Sequence, residues 1–457
     1  MTDEPLTFTL RVDHNPNLAV GQQKLHAIIQ VGAAEHDPHA AGGPPQAAEV
    51  IIIDTSKSMT GSRIEEARRA ASTAVDVVRD GTYFAVLAGQ TSAELVYPSD
   101  PGMVPATAQN RAMAKRKIAK VTAGGTTNMS TWLGFADTLL TSCPAQIKHA
   151  IMLTDGHSTD GEGALGVALK ACEGHFVCDC RGMGDGWRDD ELRQIARTLL
   201  GTWAPVAAPE QLADDFRVAL TASMAKRIPG VLLRIRLYGQ TKITYFAQVM
   251  PSIEDLTGKG VVVDGGQAIE FPLGHWGSQV RDYHLRLETS QRDLRIETGA
   301  LARAARLEVV LPPSGHGAGD IRVATSVSIG VGWTTDITLA SSIHPRVAGY
   351  TGQEELASAV DAGLAAWRNG RPDAEEKIGR AVQLAYQVRH ADLLERFSAI
   401  AELVDPAAGI IRLRGYDQVS RADVLWASYL SEQSRYVDPD DDDDPDADDD
   451  PDEGGDG

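Results

Sequence analysis

The stretch Val50-Ile51-Ile52-Ile53-Asp54-Thr55-Ser56-Lys57-Ser58 decides the reading of this chain. Four consecutive β-branched residues mark a strand buried on both faces, as in the interior of a parallel sheet. Asp54 and the hydroxyls after it then stand at the carboxyl end of that strand, where open α/β sheets bind ligands. Beyond them the period becomes helical. Ile64, Ala67, Ala71, Ala74, Val75 and Val78 share one face, and Ser62-Arg63-Ile64-Glu65 reads as a capping box. Further strands are predicted at 83–88, 93–97, 149–154, 175–181 and 202–207, and helices at 107–120, 130–140, 160–171, 188–200 and 209–226. This alternation predicts an α/β domain over 46–228 with a doubly wound, mostly parallel sheet.

The flanks follow other rhythms. Residues 6–12 and 24–31 alternate at period two, and so do Val231–Leu237, Tyr283–Glu288 and Leu307–Leu311. An antiparallel β-sandwich is predicted over 229–345. The strands within 1–45 have no local sheet and complete it, so that the α/β domain is inserted between them. Gly32–Pro45 reads as a loop. Residues 346–437 read as a helical region, with helices in 352–404 and 420–434 and Pro372 in a first turn. Residues 438–457 hold twelve Asp, one Glu and no basic residue, which predicts a disordered acidic tail.

That tail explains most of the net charge of −20. The other 437 residues carry 43 basic against 50 acidic side chains. Phosphate binding needs a basic surface, so no nucleic-acid partner is expected. With no run of 18 apolar residues, no membrane span is expected either. The amino terminus lacks a basic segment followed by an apolar run, and four cysteines in 457 residues form no disulfide scaffold. A reducing cytoplasm is the expected location.

Two further loops open at the same edge as Asp54. Gly124-Gly125-Thr126-Thr127-Asn128 precedes a helix, and Thr154-Asp155-Gly156 ends a strand. Together the loops offer two carboxylates and several hydroxyls, all hard oxygen donors that suit Mg²⁺ or Mn²⁺. No phosphate-binding Gly-x-x-x-x-Gly-Lys loop and no Gly-x-Ser-x-Gly elbow is present. His157 reads as a polar rim residue rather than the base of a hydrolytic set. Cys172, His175, Cys178 and Cys180 resemble a zinc set by composition alone, because Cys178 and Cys180 point to one buried face of a strand.

The chain resembles the von Willebrand factor A domain over roughly residues 48–226. The residues that carry the resemblance are Asp54, Ser56 and Ser58 in the pattern Asp-x-Ser-x-Ser, then a Thr, then Asp155 at a later strand end. Thr127 is the Thr favoured by its spacing to Leu133, with Thr126 beside it. The resemblance implies a metal-ion-dependent adhesion site whose ligands are Asp54, Ser56, Ser58, Thr127 and Asp155. The implied ion is Mg²⁺, with Mn²⁺ or Ca²⁺ as alternatives. It also implies a non-enzymatic module that binds a protein partner through an Asp or Glu carboxylate. The setting it implies is a scaffold in a bacterial signalling or stress-response complex, with forkhead-associated, kinase or phosphatase proteins as candidate partners. The competing expectations are a metal-dependent hydrolase at the same edge and an accessory subunit of an ATPase machine.

Overall fold

The computed structural model of the chain describes residues 6–35, 45–206, 208–292, 294, 301–311 and 321–435. The expected acidic tail and most of the Gly32–Pro45 loop lie outside these residues.

The strand Ala47–Asp54 is the hub. It pairs in parallel with Tyr83–Gly89 on one side and Ile147–Gly156 on the other. Val177–Gly186 and Trp203–Val206 continue the sheet in parallel, and Ala93–Tyr97 closes the opposite edge antiparallel. Side chains along the hub strand alternate between two helical layers. Val50 and Ile52 pack with the helices Met129–Ser142, Ala164–Cys172 and Asp189–Thr198. Ile51 and Ile53 pack with Ser62–Val77, Ala108–Ile118 and Leu212–Met224. All four are fully buried, each contributing about 1.5–3 kcal/mol by area.

The amino-terminal strands do join the sandwich. Lys24–Glu35 lies between Leu6–His14 and Gln279–Glu288, antiparallel to both. Lys242–Met250 extends this sheet. The facing sheet is built on Ala268–Trp276, Ile228–Leu237, Ala302–Leu311 and Val327–Thr334. Its far edge is Asn17–Ala19, paired parallel to Val327–Thr334. Phe8, Val31, Phe246, Phe271 and Trp276 fill the space between the sheets.

Three local readings are corrected. Ser62 caps nothing: it is already helical, and the turn is made at Gly61, whose φ of +91° brings the chain into the helix one residue before the expected start. Pro372 stands before its helix, Ala374–Gln387, whereas Pro345 occupies the first turn of Pro345–Arg368. The helical region also contains a strand pair, Ala401–Asp405 with Ile410–Leu413, closed over Gly409 at positive φ.

At the amino ends of the central strands, His149 is buried between two carboxylates. Its Nδ1 lies 2.7 Å from Glu49 Oε1 and its Nε2 3.1 Å from Asp179 Oδ2. Burial alone would lower the imidazole pKa, but the Glu49 charge and the hydrogen bonds to Asp179 and Glu49 raise it to about 10. The folded protein therefore holds a proton there that the unfolded chain, with an ordinary value of 6.5, releases earlier. The resulting stability is fully present below pH 6.5 and is lost as pH rises through about 10. In urea denaturation, the gap between wild type and His149→Gln should be widest below about pH 6.5 and shrink as pH rises towards about 10. A gap independent of pH would show a neutral imidazole.

Candidate functional site

Three loops meet at the carboxyl edge of the central sheet, and backbone hydrogen bonds brace them. Thr55 N donates to Gly89 O at 2.7 Å, Gly124 N to Thr55 O at 2.7 Å, and Thr159 N to Thr127 O at 2.6 Å. Gly125, at φ +75°, turns the second loop so that Lys57 N reaches its carbonyl at 3.2 Å.

Within this frame the five expected residues come together. Asp54 is the last residue of its strand and is fully buried. Its Oδ1 accepts from Ser56 N at 2.7 Å and its Oδ2 from Thr154 Oγ1 at 2.6 Å. Ser56 Oγ and Ser58 Oγ are 2.9 Å apart, and Ser58 Oγ donates to Asp155 Oδ1 at 2.6 Å. Gly156 faces both remaining hydroxyls: a Cβ there would lie 3.3 Å from Thr127 Oγ1 and 3.6 Å from Ser58 Oγ. Thr127 is buried at this edge, whereas Thr126 is exposed and turns to Thr91 Oγ1 at 3.0 Å.

Burial pushes the Asp54 carboxyl up to about 6, the hydrogen bonds from Thr154 and Ser56 opposing and the Asp155 charge adding to the rise. Two carboxylates facing one small volume repel, and a cation relieves that repulsion. One cation is already built in. Arg63 donates to Asp155 Oδ2 at 2.8 Å and is about one-third exposed. Sequence reasoning missed the roles of Arg63 and Thr154, although both lie inside quoted motifs. It also missed Glu191, whose Oε2 accepts from Ser158 N at 2.8 Å and so ties the third loop to the helix Asp189–Thr198.

The donor set fits a hard divalent ion: two carboxylates and three hydroxyls, with no soft ligand. Among the described residues no group of three or more His, Cys, Asp and Glu is placed to hold a metal. The constellation here instead depends on hydroxyls for most of its donors. His157 is exposed, and among the described residues no hydrogen bond joins it to a serine or to Asp155. The zinc reading also fails on geometry. Cys172, Cys178 and Cys180 are buried in the apolar layer around Trp187, while His175 is turned to Asp137 Oδ1 at 2.8 Å.

Fold and sheet edge together define an α/β domain with a doubly wound, mostly parallel sheet, and comparison with known proteins agrees on the fold. The model of the von Willebrand factor type A domain matches residues 48–204. The solved von Willebrand factor type A structure from Catenulispora acidiphila is 34% identical, with a TM-score of 0.87 over 95% of this chain and 98% of that one. The chain belongs to the von Willebrand factor type A family. The ArnB paralog VWA2 from Sulfolobus acidocaldarius shares the fold at 13% identity, with a TM-score of 0.52 over 94% of this chain and all of that one. Among curated relatives, an uncharacterized Synechocystis protein is 24% identical over 259 residues, 55% of this chain. Human inter-alpha-trypsin inhibitor heavy chain H4 is 30% identical over 146 residues, 30% of this chain. The matched regions span 58% and 15% of those two relatives' own lengths.

Proposed function

We propose that this protein is a Mg²⁺-dependent protein-binding module whose ion is held by Asp54, Ser56, Ser58, Thr127 and Asp155. The observation that carries the reading is the convergence of these five side chains at one braced sheet edge. Domains of this family are generally protein-interaction modules. A bound divalent ion supplies a Lewis-acidic position that accepts a carboxylate oxygen from a partner. The chain's own residues do the rest. Thr154 and Ser56 N orient Asp54, Ser58 orients Asp155, and the loop bracing holds the hydroxyls ready. Arg63, beside Asp155, adds positive charge for an incoming Asp or Glu side chain.

In this reading the module is a scaffold of a bacterial cytoplasmic signalling or stress-response complex. The four cysteines are buried free thiols, in keeping with a reducing location, and no described helix is long and apolar enough to cross a membrane. Hydrolysis is the weaker reading because His157 is not placed beside a nucleophile. The test is affinity capture from the native cell with the full chain. Partners should be retained with Mg²⁺, released by EDTA and absent from Asp54→Asn beads. Retention equal in EDTA would overturn the carboxylate-bridge reading.

A further inference from the structure

At the amino end of the central sheet, opposite the metal edge, a cavity of about 290 Å³ lies between the α/β domain and the sandwich. A second cavity of about 270 Å³ shares Thr202, Lys226 and Arg281 with it. We propose that this junction binds a small oxyanion, of the phosphate or carboxylate class, through Lys226, Gln279, Arg281 and Tyr283.

Among the described residues, neither Lys226 nor Arg281 has a carboxylate partner within salt-bridge distance. Lys226 Nζ donates to the side-chain oxygen of Gln279. Arg281 donates to Leu273 O at 2.9 Å and lies over the Trp276 ring at 4.9 Å. These contacts are neutral, so neither cation is paired, and the Asp179 charge supports Lys226 only from beyond salt-bridge distance. Burial and the Arg281 charge together pull Lys226 down to about 8. The acids nearby are already engaged. Glu254 accepts from Arg197 at 3.3 Å, Asp255 from Thr257 N at 2.8 Å, and Asp179 from Thr202 N at 2.7 Å.

The second observation is independent of charge. Tyr283 is fully buried and lines the cavity; its hydroxyl lies beside the donor-only Arg281 guanidinium and has no acceptor for its own proton. The Gln279 amide is oriented by Lys226, which leaves its Nε2 as a buried donor with no acceptor. Buried donors without acceptors are costly, and here two of them stand beside two unpaired cations, while the carboxylates of the lining, Glu254 and Asp255, are held by Arg197 and Thr257 N. The ligand that satisfies such a lining is an acceptor-only anion. A phosphate or a small carboxylate has the required oxygens and fits the volume. Bound there, it would bridge the sandwich strand Gln279–Glu288 to Lys226, next to the helix Leu212–Met224, and so fix the two domains against each other.

The test is calorimetry on the full chain with inorganic phosphate, with succinate, and with chloride at matched ionic strength. At least one of the first two should bind above the chloride background. Tighter binding of phosphate assigns the phosphate class, and the reverse the carboxylate class. Lys226→Met should weaken that binding by about tenfold or more, and Tyr283→Phe by a smaller but measurable factor. Tyr283→Phe removes a hydroxyl whose proton has no acceptor, and Arg281 keeps its bond to Leu273 O, so anion-free thermal unfolding should stay close to wild type and keep the result interpretable. Asp54→Asn, at the far end of the sheet, should bind the anion normally, which separates this site from the metal reading. Heats equal to chloride for both anions, or affinities unchanged in both cavity variants, would overturn the proposal.

Discussion

Asp54→Asn should abolish Mg²⁺ binding in calorimetry while circular dichroism and the thermal transition stay near wild type. Loss of a side chain that only orients a ligand costs about 10–100-fold in metal affinity, and loss of a direct carboxylate should exceed that. The choice of Asn follows from the structure. Both Asp54 and Asp155 are fully buried and hydrogen-bonded at strand ends, so neither is a free loop carboxylate. Alanine would leave Ser56 N without its acceptor in a buried space and confound folding with binding. Asparagine keeps the shape, with its oxygen accepting from Ser56 N and its amide donating to Thr154 Oγ1, whose proton turns to Gly156 O at 3.0 Å, while it removes the charge that burial already makes costly. Undiminished Mg²⁺ affinity in Asp54→Asn would remove Asp54 from the donor set.

Glu432→Ala should destabilise the junction of all three parts of the molecule by about 3 kcal/mol. Glu432, in the helix Arg421–Glu432, is buried, and burial holds its carboxyl above the ordinary range. Its Oε1 accepts from Arg197 at 2.9 Å and lies 3.1 Å from Arg193, while its Oε2 accepts from Trp203 Nε1 at 2.8 Å. Arg197 in turn reaches Glu254 of the sandwich, and Arg193 reaches Asp361 of the helix Pro345–Arg368 at 2.8 Å. Removing the shared acceptor leaves the Trp203 indole unsatisfied and two guanidinium groups under-compensated. Glu432→Gln, which keeps an acceptor, should cost less than Ala. Chemical denaturation followed at several probes, with limited proteolysis of the carboxyl-terminal helices, reads the effect. A shift within about 0.5 kcal/mol for Ala would make the network a surface-like array with little energetic weight.

These two predictions rest on features of unequal legibility. The buried run Val50–Ile53, the alternation of strand and helix after it, and the Asp-x-Ser-x-Ser pattern are local signals. They specify the parallel sheet and the edge where Asp54, Ser56 and Ser58 stand, because period and burial are written into consecutive residues. The position of Asp155 was legible too, since it stands at the end of a predicted strand. The place of the two amino-terminal strands in the sandwich was legible by a different logic: two isolated strands need a sheet.

Tertiary structure alone decided the rest. Thr126 and Thr127 are chemically equivalent in sequence, and the turn at Gly125 with the bracing of Thr127 O by Thr159 N sends one to the edge and the other to Thr91. Arg63 reads as an exposed helix residue until Asp155, 92 positions away, is brought to 2.8 Å. The buried Glu49, His149 and Asp179 come from three strands, and the donors Lys226, Gln279, Arg281 and Tyr283 from two domains. Periodicity reports which face of an element is buried. It carries no information on which distant side chain shares that burial, because pairing across the fold is set by packing and by the compensation of buried charge.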